Sequence, residues 1–156
     1  MYRKKMFTIE KKRRTCIEGK SASSFQIEFF FSSRRKNPFE LVAALPNTTN
    51  PFNFQWYCDD GDSPMQNGQY MGNLISLTAA KTNQGGYING VVVQSHFETS
   101  MTLGTVRVLG VDTKPNSLTI NGKPFTQFSF DAQSHVLMVN SIKIEISNQN
   151  FSIIWQ

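Results

Sequence analysis

The sequence predicts an all-β fold, an antiparallel β-sandwich. From residue 38 onward, short apolar runs alternate with turn residues at intervals of roughly ten residues. Several of these runs alternate apolar and polar residues with a period of two, which is typical of half-buried strands. No segment shows a sustained helical period with caps, and many short strands without helices between them indicate antiparallel layers.

Each predicted strand is a short run bounded by turn residues. In chain order the runs are 39–45, 54–57, 70–80, 87–95, 105–110, 117–120, 125–130, 135–139, 141–146 and 151–156. Alternation places Val91 and Val93 on one face of their strand, and Val106 and Val108 on one face of theirs. In 141–146 three isoleucines alternate with a lysine and a glutamate. In the last run Trp155 shares a face with two apolar residues, which predicts a core position.

One hairpin has a specific turn signal. Asn121-Gly122 is typical of a type I′ turn between two antiparallel strands. Pro124 follows at once and limits how early the second strand can begin to pair, because proline has no N–H to donate. The run 23–31 is a further strand candidate that the pattern does not place.

The basic charge of the chain belongs to its first segment. Residues 1–36 hold eleven basic and three acidic side chains, a net of +8, whereas the remaining 120 residues have a net of −3. We therefore predict a basic, loosely ordered leader, 1–32, followed by a sandwich region, 33–156. The basic clusters could instead serve as a nuclear address or bind nucleic acid, but the body lacks a basic face to extend that footprint. No apolar stretch approaches the roughly 18 residues of a membrane span.

Cysteine and histidine usage predicts neither a disulfide scaffold nor a metal site. Cys16 and Cys58 lack metal-ligand spacing, and we expect two free thiols. His96 and His135 each stand alone, without a paired carboxylate. The sequence therefore predicts no cofactor and no metal.

An acidic cluster follows the strand at 54–57. Asp59, Asp60, Gly61 and Asp62 place three carboxylates in four positions. Adjacent acids on a strand point to opposite faces, which does not suit a pair that must flank a glycosidic bond. An EF-hand loop needs glycine sixth and glutamate twelfth, and this segment has neither. We predict a structural turn in which carboxylate oxygens accept backbone N–H groups.

Several segments together resemble glycoside hydrolase family 31. They are "RRKNPFELVAAL", "FQWYCDDGDS", "NGQYMGNLISLTA", "TVRVLGVDTKPNSLTINGKPFTQFSFD" and the terminal "NFSIIWQ". This order is similar to the distal C-terminal β-sandwich region of the α-glucosidases of that family, in the lysosomal α-glucosidase, maltase-glucoamylase and sucrase-isomaltase branch. The resemblance runs from 33 to 156. One departure is Tyr57-Cys58, where the family typically has an aromatic residue followed by Trp.

What the resemblance implies is a module without catalytic residues. The retaining α-glucosidases carry their nucleophile in a Trp-x-Asp-Met-Asn-Glu segment of a (β/α)₈ barrel, and this chain contains neither. The sequence therefore predicts a non-catalytic C-terminal module or fragment, with a catalytic α-glucosidase barrel as its candidate partner. Full-length relatives would cleave terminal α-glucosidic bonds.

Two further expectations concern glycans. A small carbohydrate-binding module using Trp56, Tyr57 or Trp155 is the alternative function, although the core-like position of Trp155 argues for weak or no carbohydrate binding. Asn47 and Asn150 begin Asn-x-Ser/Thr triplets, which are possible glycosylation sites. The triplets fit the lysosomal or secretory location of the full-length relatives. No signal peptide is visible, so the chain as written would stay in the cytosol.

Overall fold

A computed structural model describes residues 38–46, 49–59, 72–96, 101–146 and 148–156. Within these ranges the chain forms eleven strands in two sheets and no helix. The strands are β1 (Phe39–Ala44), β2 (Phe52–Asp59), β3 (Gly72–Thr82), β4 (Gly85–Gln94), β5 (Thr102–Leu109), β6 (Leu118–Ile120), β7 (Lys123–Pro124), β8 (Phe128–Asp131), β9 (Val136–Val139), β10 (Ile144–Glu145) and β11 (Phe151–Trp155). The predicted all-β sandwich is confirmed.

The six-stranded sheet has the order β2-β3-β4-β11-β6-β7, and all its strand pairs are antiparallel. Its inner face follows the period-two pattern of the sequence. In β11 Phe151, Ile153 and Trp155 are buried, whereas Ser152 and Ile154 lie on the outer face. The core position predicted for Trp155 is therefore correct.

The five-stranded sheet has the order β1-β5-β9-β8, with β10 also paired to β5. β9 pairs with Val106–Leu109 and β10 with Thr102 and Leu103, so the two follow one another along the same edge of β5. Ser141, with a φ of 57°, lies in the interruption between them. The three isoleucines of 141–146 are all buried, as the alternation predicts, although the regular strand is limited to β10.

One pairing departs from a purely antiparallel arrangement. β1 pairs with β5 in parallel, in a register that runs from Phe39 opposite Leu103 to Ala44 opposite Leu109. Parallel neighbours need a long crossover connection. Here the crossover contains β2, β3 and β4, which lie in the other sheet. The sequence pattern cannot reveal this, because alternation identifies a strand's faces and not its partner's direction.

The core lies between the two sheets and draws from both. The most completely buried apolar side chains are Ile75, Ile88, Leu103, Val106, Val108, Leu137, Val139, Ile146, Ile153 and Trp155. An edge-to-face aromatic pair joins the sheets, because the ring centroids of Phe39 in β1 and Trp56 in β2 are 5.2 Å apart at an interplanar angle of 72°. The sandwich is thus closed by contacts between side chains of both inner faces.

The predicted hairpin at Asn121-Gly122 is present. Both residues have positive φ, 51° and 75°, and Ile120 pairs with Lys123 across the turn, as a type I′ turn requires. Pairing stops at Pro124, and the next strand, β8, joins the other sheet. The strand predicted at 125–130 therefore starts later, at Phe128.

The predicted leader, 1–32, and its boundary with the sandwich lie outside the described residues, as does the candidate strand 23–31. In the part of the chain that the structure describes, no helix is long and apolar enough to cross a membrane.

Candidate functional site

The acidic cluster begins where β2 ends. The backbone of Asp59 pairs with Gly72 at the start of β3, so the segment between them joins two neighbouring antiparallel strands. Asp60, Gly61 and Asp62 lie outside the described residues, and the structural role predicted for them stays a prediction. Next to this segment, the ring of Tyr57 covers Gly72, where an added Cβ would lie 2.3 Å from the phenol. The aromatic residue and the glycine therefore fix the spacing of β2 and β3 beside the turn.

Two described carboxylates form ion pairs. Glu40 of β1 lies with its Oε1 2.8 Å from Nη2 of Arg107 on the neighbouring strand β5. Asp112 accepts from Nζ of Lys81 through both carboxylate oxygens, at 2.8 and 2.9 Å. The side chain of Lys81 is only 11% exposed, whereas that of Asp112 is 72% exposed. The first pair links neighbouring strands of the five-stranded sheet, and the second links β3 of the six-stranded sheet to the segment that follows β5.

Asp131 shapes the turn between β8 and β9. Its carboxylate accepts a hydrogen bond from the hydroxyl of Ser134 and one from the backbone N–H of Gln133, the latter at 2.9 Å. The Ser134 hydroxyl and then the Gln133 N–H are the main reasons why the pKa of Asp131 lies below its ordinary value, because both favour the charged form. This side chain is exposed, and its contacts are those of a side-chain-capped turn.

The two histidines do not come together. His96 donates its backbone N–H to Oδ1 of the buried Asn73, at 2.8 Å. Nδ1 of His135 lies 3.2 Å from the carbonyl oxygen of Val111, which requires Nδ1 to carry the proton. Among the described residues, no group of three His, Cys, Asp or Glu side chains could hold a metal ion.

The aromatic residues weighed as a carbohydrate platform separate into two groups. Trp56 and Trp155 are 3% and 1% exposed, so neither can offer a ring face to a sugar. That part of the carbohydrate-binding alternative was wrong, because both rings fill the space between the sheets. Tyr57 lies on the outer face, partly exposed.

A polar row that the sequence analysis missed crosses the outer face of the six-stranded sheet. Asn53, Thr78, Asn89 and Ser152 form a row across β2, β3, β4 and β11. The hydroxyl of Thr78 donates to Oδ1 of Asn53 at 2.7 Å. Among the outward positions of these four strands whose side chains the structure describes, none holds a charged residue. The signal in the sequence was an uncharged polar residue at one outward position of each of these strands.

Asn150, the described one of the two candidate glycosylation sites, lies immediately before β11. Its side chain is exposed, and its Oδ1 accepts the backbone N–H of Val92 at 2.9 Å. Asn47 lies outside the described residues.

Comparison with known proteins identifies the relatives of this arrangement. The chain is 28% identical over 121 residues to an α-glucosidase of Schizosaccharomyces pombe, a match that covers 78% of the chain and 12% of the relative. It is 30% identical over 111 residues to an α-glucosidase of Aspergillus oryzae, covering 70% of the chain and 10% of the relative. The chain is an α-glucosidase homologue. It spans about a tenth of the length of these curated relatives. No protein-family model matches the chain.

Solved structures show the same fold. A family 31 dextranase of Flavobacterium johnsoniae complexed with glucose superposes with a TM-score of 0.64 at 12% identity, covering 81% of this chain and 18% of the dextranase. An α-1,4-glucan lyase of Gracilariopsis lemaneiformis superposes with a TM-score of 0.56 at 15% identity, covering 78% and 14%. The resemblance of this homologue to family 31 is confirmed, and these matches are consistent with a C-terminal region of such an enzyme.

Proposed function

We propose that this chain is a non-catalytic C-terminal β-sandwich module of a family 31 glycoside hydrolase, and that it packs against a catalytic α-glucosidase domain. The observation that carries the proposal is the extent of the match, which covers most of this chain but only 12% and 10% of the two relatives. A sandwich of this size accounts for a small part of an enzyme whose remaining length is available for catalysis.

The contacts of the described carboxylates support a structural role. Glycoside hydrolysis uses two carboxyl groups about 5–9.5 Å apart, one of which is an acid with a raised pKa. Glu40 and Asp112 are instead neutralised by Arg107 and Lys81. The lowered pKa of Asp131 does not suit proton donation, and its carboxylate oxygens are already engaged by Ser134 and Gln133 within the turn.

The outer face of the five-stranded sheet is the surface where we place the catalytic domain. Across β1, β5 and β9 the register forms two rows, Val42–Arg107–Met138 and Ala44–Leu109–Val136. These residues alternate with buried ones along their strands, and their outward side chains are partly exposed. This face combines the apolar side chains of Val42, Leu109 and Met138 with the Glu40–Arg107 ion pair, and such a mixture of apolar and charged groups is typical of protein–protein interfaces. The occupant we infer is the remaining nine tenths of an α-glucosidase of the kind the chain matches.

A domain replacement tests this function. The segment of the S. pombe relative that matches this chain is deleted, or is replaced by residues 33–156, and activity towards maltose is measured with the yield of folded enzyme. We expect the deletion to abolish activity and the replacement to restore part of it. Replacement with a Val42→Glu, Met138→Glu variant should lose what was restored. Full activity of the deleted enzyme would contradict the proposal.

A second candidate function is the binding of a neutral glycan to the outer face of the six-stranded sheet. What favours it is the uncharged polar row of Asn53, Thr78, Asn89 and Ser152, since amide and hydroxyl groups suit the hydroxyl groups of sugars. Titration of maltooligosaccharides, observed by NMR, would show shifts confined to this row and abolished by Asn89→Ala. Salt-dependent DNA binding through residues 1–36 would indicate the nucleic-acid alternative instead.

A further inference from the structure

Two neighbouring valines are unusually exposed on this sandwich. Val91 and Val93 of β4 are 48% and 57% exposed, the largest values among the big apolar side chains that the structure describes. Both lie on the outer face of the six-stranded sheet, because Gly90 and Val92 occupy the alternate positions. Apolar side chains exposed side by side mark a place where something else covers the surface.

The side chain of Asn150 is hydrogen-bonded to the backbone of Val92, the residue between these two valines. Its Oδ1 accepts the N–H of Val92, at 2.9 Å, two residues beyond Gly90, the last residue of β4 that pairs with β11. An N–H partner requires the amide oxygen, so the orientation of this side chain is fixed and Nδ2 is the atom left for another bond. Asn150 is exposed, so that nitrogen is not enclosed by the sandwich.

The surrounding residues complete an acceptor triplet for an N-linked glycan, Asn150-Phe151-Ser152. Phe151 points inward and its ring covers Gly90, where an added Cβ would lie 2.2 Å from the ring. The backbone N–H of Ser152 is bound to Oδ1 of Asn121, and its carbonyl accepts the N–H of Asn121. The folded strand holds the triplet fixed, so transfer of the sugar has to precede the pairing of β11.

We propose that Asn150 is an N-glycosylation site and that its first sugar covers Val91 and Val93. In the transfer step Nδ2 of Asn150 forms a bond to the anomeric carbon of an oligosaccharide carried on a lipid diphosphate. The bond from that carbon to the diphosphate oxygen breaks, the lipid diphosphate leaves with the electron pair, and Nδ2 loses one proton. The amide oxygen takes no part in the transfer, so it can accept the N–H of Val92 once the chain has folded and hold the sugar beside the two valines.

The site is tested in the full chain, produced in a eukaryotic secretory host behind a cleavable leader. An Asn47→Gln background removes the other triplet. We expect one glycan at Asn150, seen as a mass loss on treatment with peptide N-glycosidase and as conversion of Asn150 to Asp. Ser152→Ala should abolish the glycan while leaving the bond from Asn150 to Val92 intact, and Ser152→Thr should retain it. A secreted chain whose Asn150 is unmodified would overturn the proposal.

Covering of the valines is measured separately with an apolar fluorescent dye. Removing the glycan under native conditions should raise dye binding several-fold, and a Val91→Thr, Val93→Thr variant should show no such rise. Equal dye binding before and after removal, in a chain that carries the glycan, would contradict the location we give to the first sugar.

Discussion

Trp155 of β11 lies directly opposite Gly86 of β4, and its indole covers the glycine so closely that an added Cβ would be 2.4 Å from Cζ2. Phe151 stands in the same relationship to Gly90, four residues earlier on β11 and four later on β4. An aromatic residue thus occupies the space that each glycine leaves on the inner face. These two pairs fix the register of β11 in the centre of the six-stranded sheet.

The first prediction concerns these glycines. Gly86→Ala should lower the free energy of unfolding by about 1–3 kcal/mol, the usual range for an overpacked core. Gly90→Ala should cost less, because the three atoms nearest to its new methyl group all belong to the side chain of Phe151, whereas that of Gly86 also meets the backbone carbonyl oxygen of Ala80 at 2.7 Å. Urea unfolding measures both, with the exposed Thr82→Ala as the control. Equal free energies of unfolding for all three variants would contradict the close packing of the two aromatic rings on these glycines.

The Lys81–Asp112 pair should respond unequally to removal of its two partners. Asp112→Ala leaves the poorly exposed ammonium group without its carboxylate and should cost about 1–3 kcal/mol, the penalty for an unsatisfied buried polar group. Lys81→Met keeps most of the apolar stem and leaves a well-hydrated carboxylate, so it should cost less. Thermal unfolding in low and high salt provides the measurement. A larger loss for Lys81→Met would mean that the packing of the stem dominates.

Asp131 gives a prediction about pH. Its pKa is lowered in the folded chain, so the carboxylate contributes stability above the unfolded pKa of about 3.9 and loses that contribution as pH falls through the lower folded value. NMR titration should find the pKa below the ordinary range, and Ser134→Ala should raise it because the main donor is removed. Asp131→Asn should flatten this part of the acid-unfolding curve. An unchanged pKa in the Ser134 variant would contradict the assignment.

The acidic cluster supplies a prediction that rests on the sequence. If Asp59, Asp60 and Asp62 shape a turn, replacing the one that accepts backbone N–H groups by Ala should cost about 1–2 kcal/mol. If Gly61 has the positive φ that favours glycine in tight turns, Gly61→Val should cost more, because a β-branched residue is strained there. Urea unfolding with a parallel calcium titration distinguishes a turn from a ligand site. Stabilisation of the unsubstituted chain alone by calcium would indicate a metal loop.

Much of the architecture could be predicted, because the alternation of apolar and polar residues along a strand shows which side chains share a face. Alternation correctly identified the buried isoleucines of 141–146 and the inward position of Trp155. It also placed Val91 and Val93 on one face, but not which face, since that depends on the sheet that covers them. The parallel pairing of β1 with β5 is a property of the whole fold and leaves no local pattern.

The candidate sites also combine features that the sequence shows with features that only the structure shows. The triplet at Asn150 is visible in the sequence, whereas the hydrogen bond that places it beside two exposed valines requires the structure. The Lys81–Asp112 pair joins residues 31 positions apart, a distance at which no spacing rule applies. The turn chemistry of Asp131 was within reach, because an aspartate at a strand end followed by Ala-Gln-Ser is compatible with a side-chain-capped turn, yet it escaped the sequence analysis.

The central claim is our proposal that this chain is a non-catalytic module that packs against the catalytic domain of an α-glucosidase. A turnover assay of the purified full chain tests the non-catalytic part of this claim most directly. Maltose and a chromogenic α-glucoside are each incubated with the chain, with the S. pombe relative as the positive control and an Asp131→Asn, Asp59→Asn variant as the matched preparation. We predict the same background rate for the chain and the variant. Hydrolysis that survives repurification and is lost in the variant would contradict the claim.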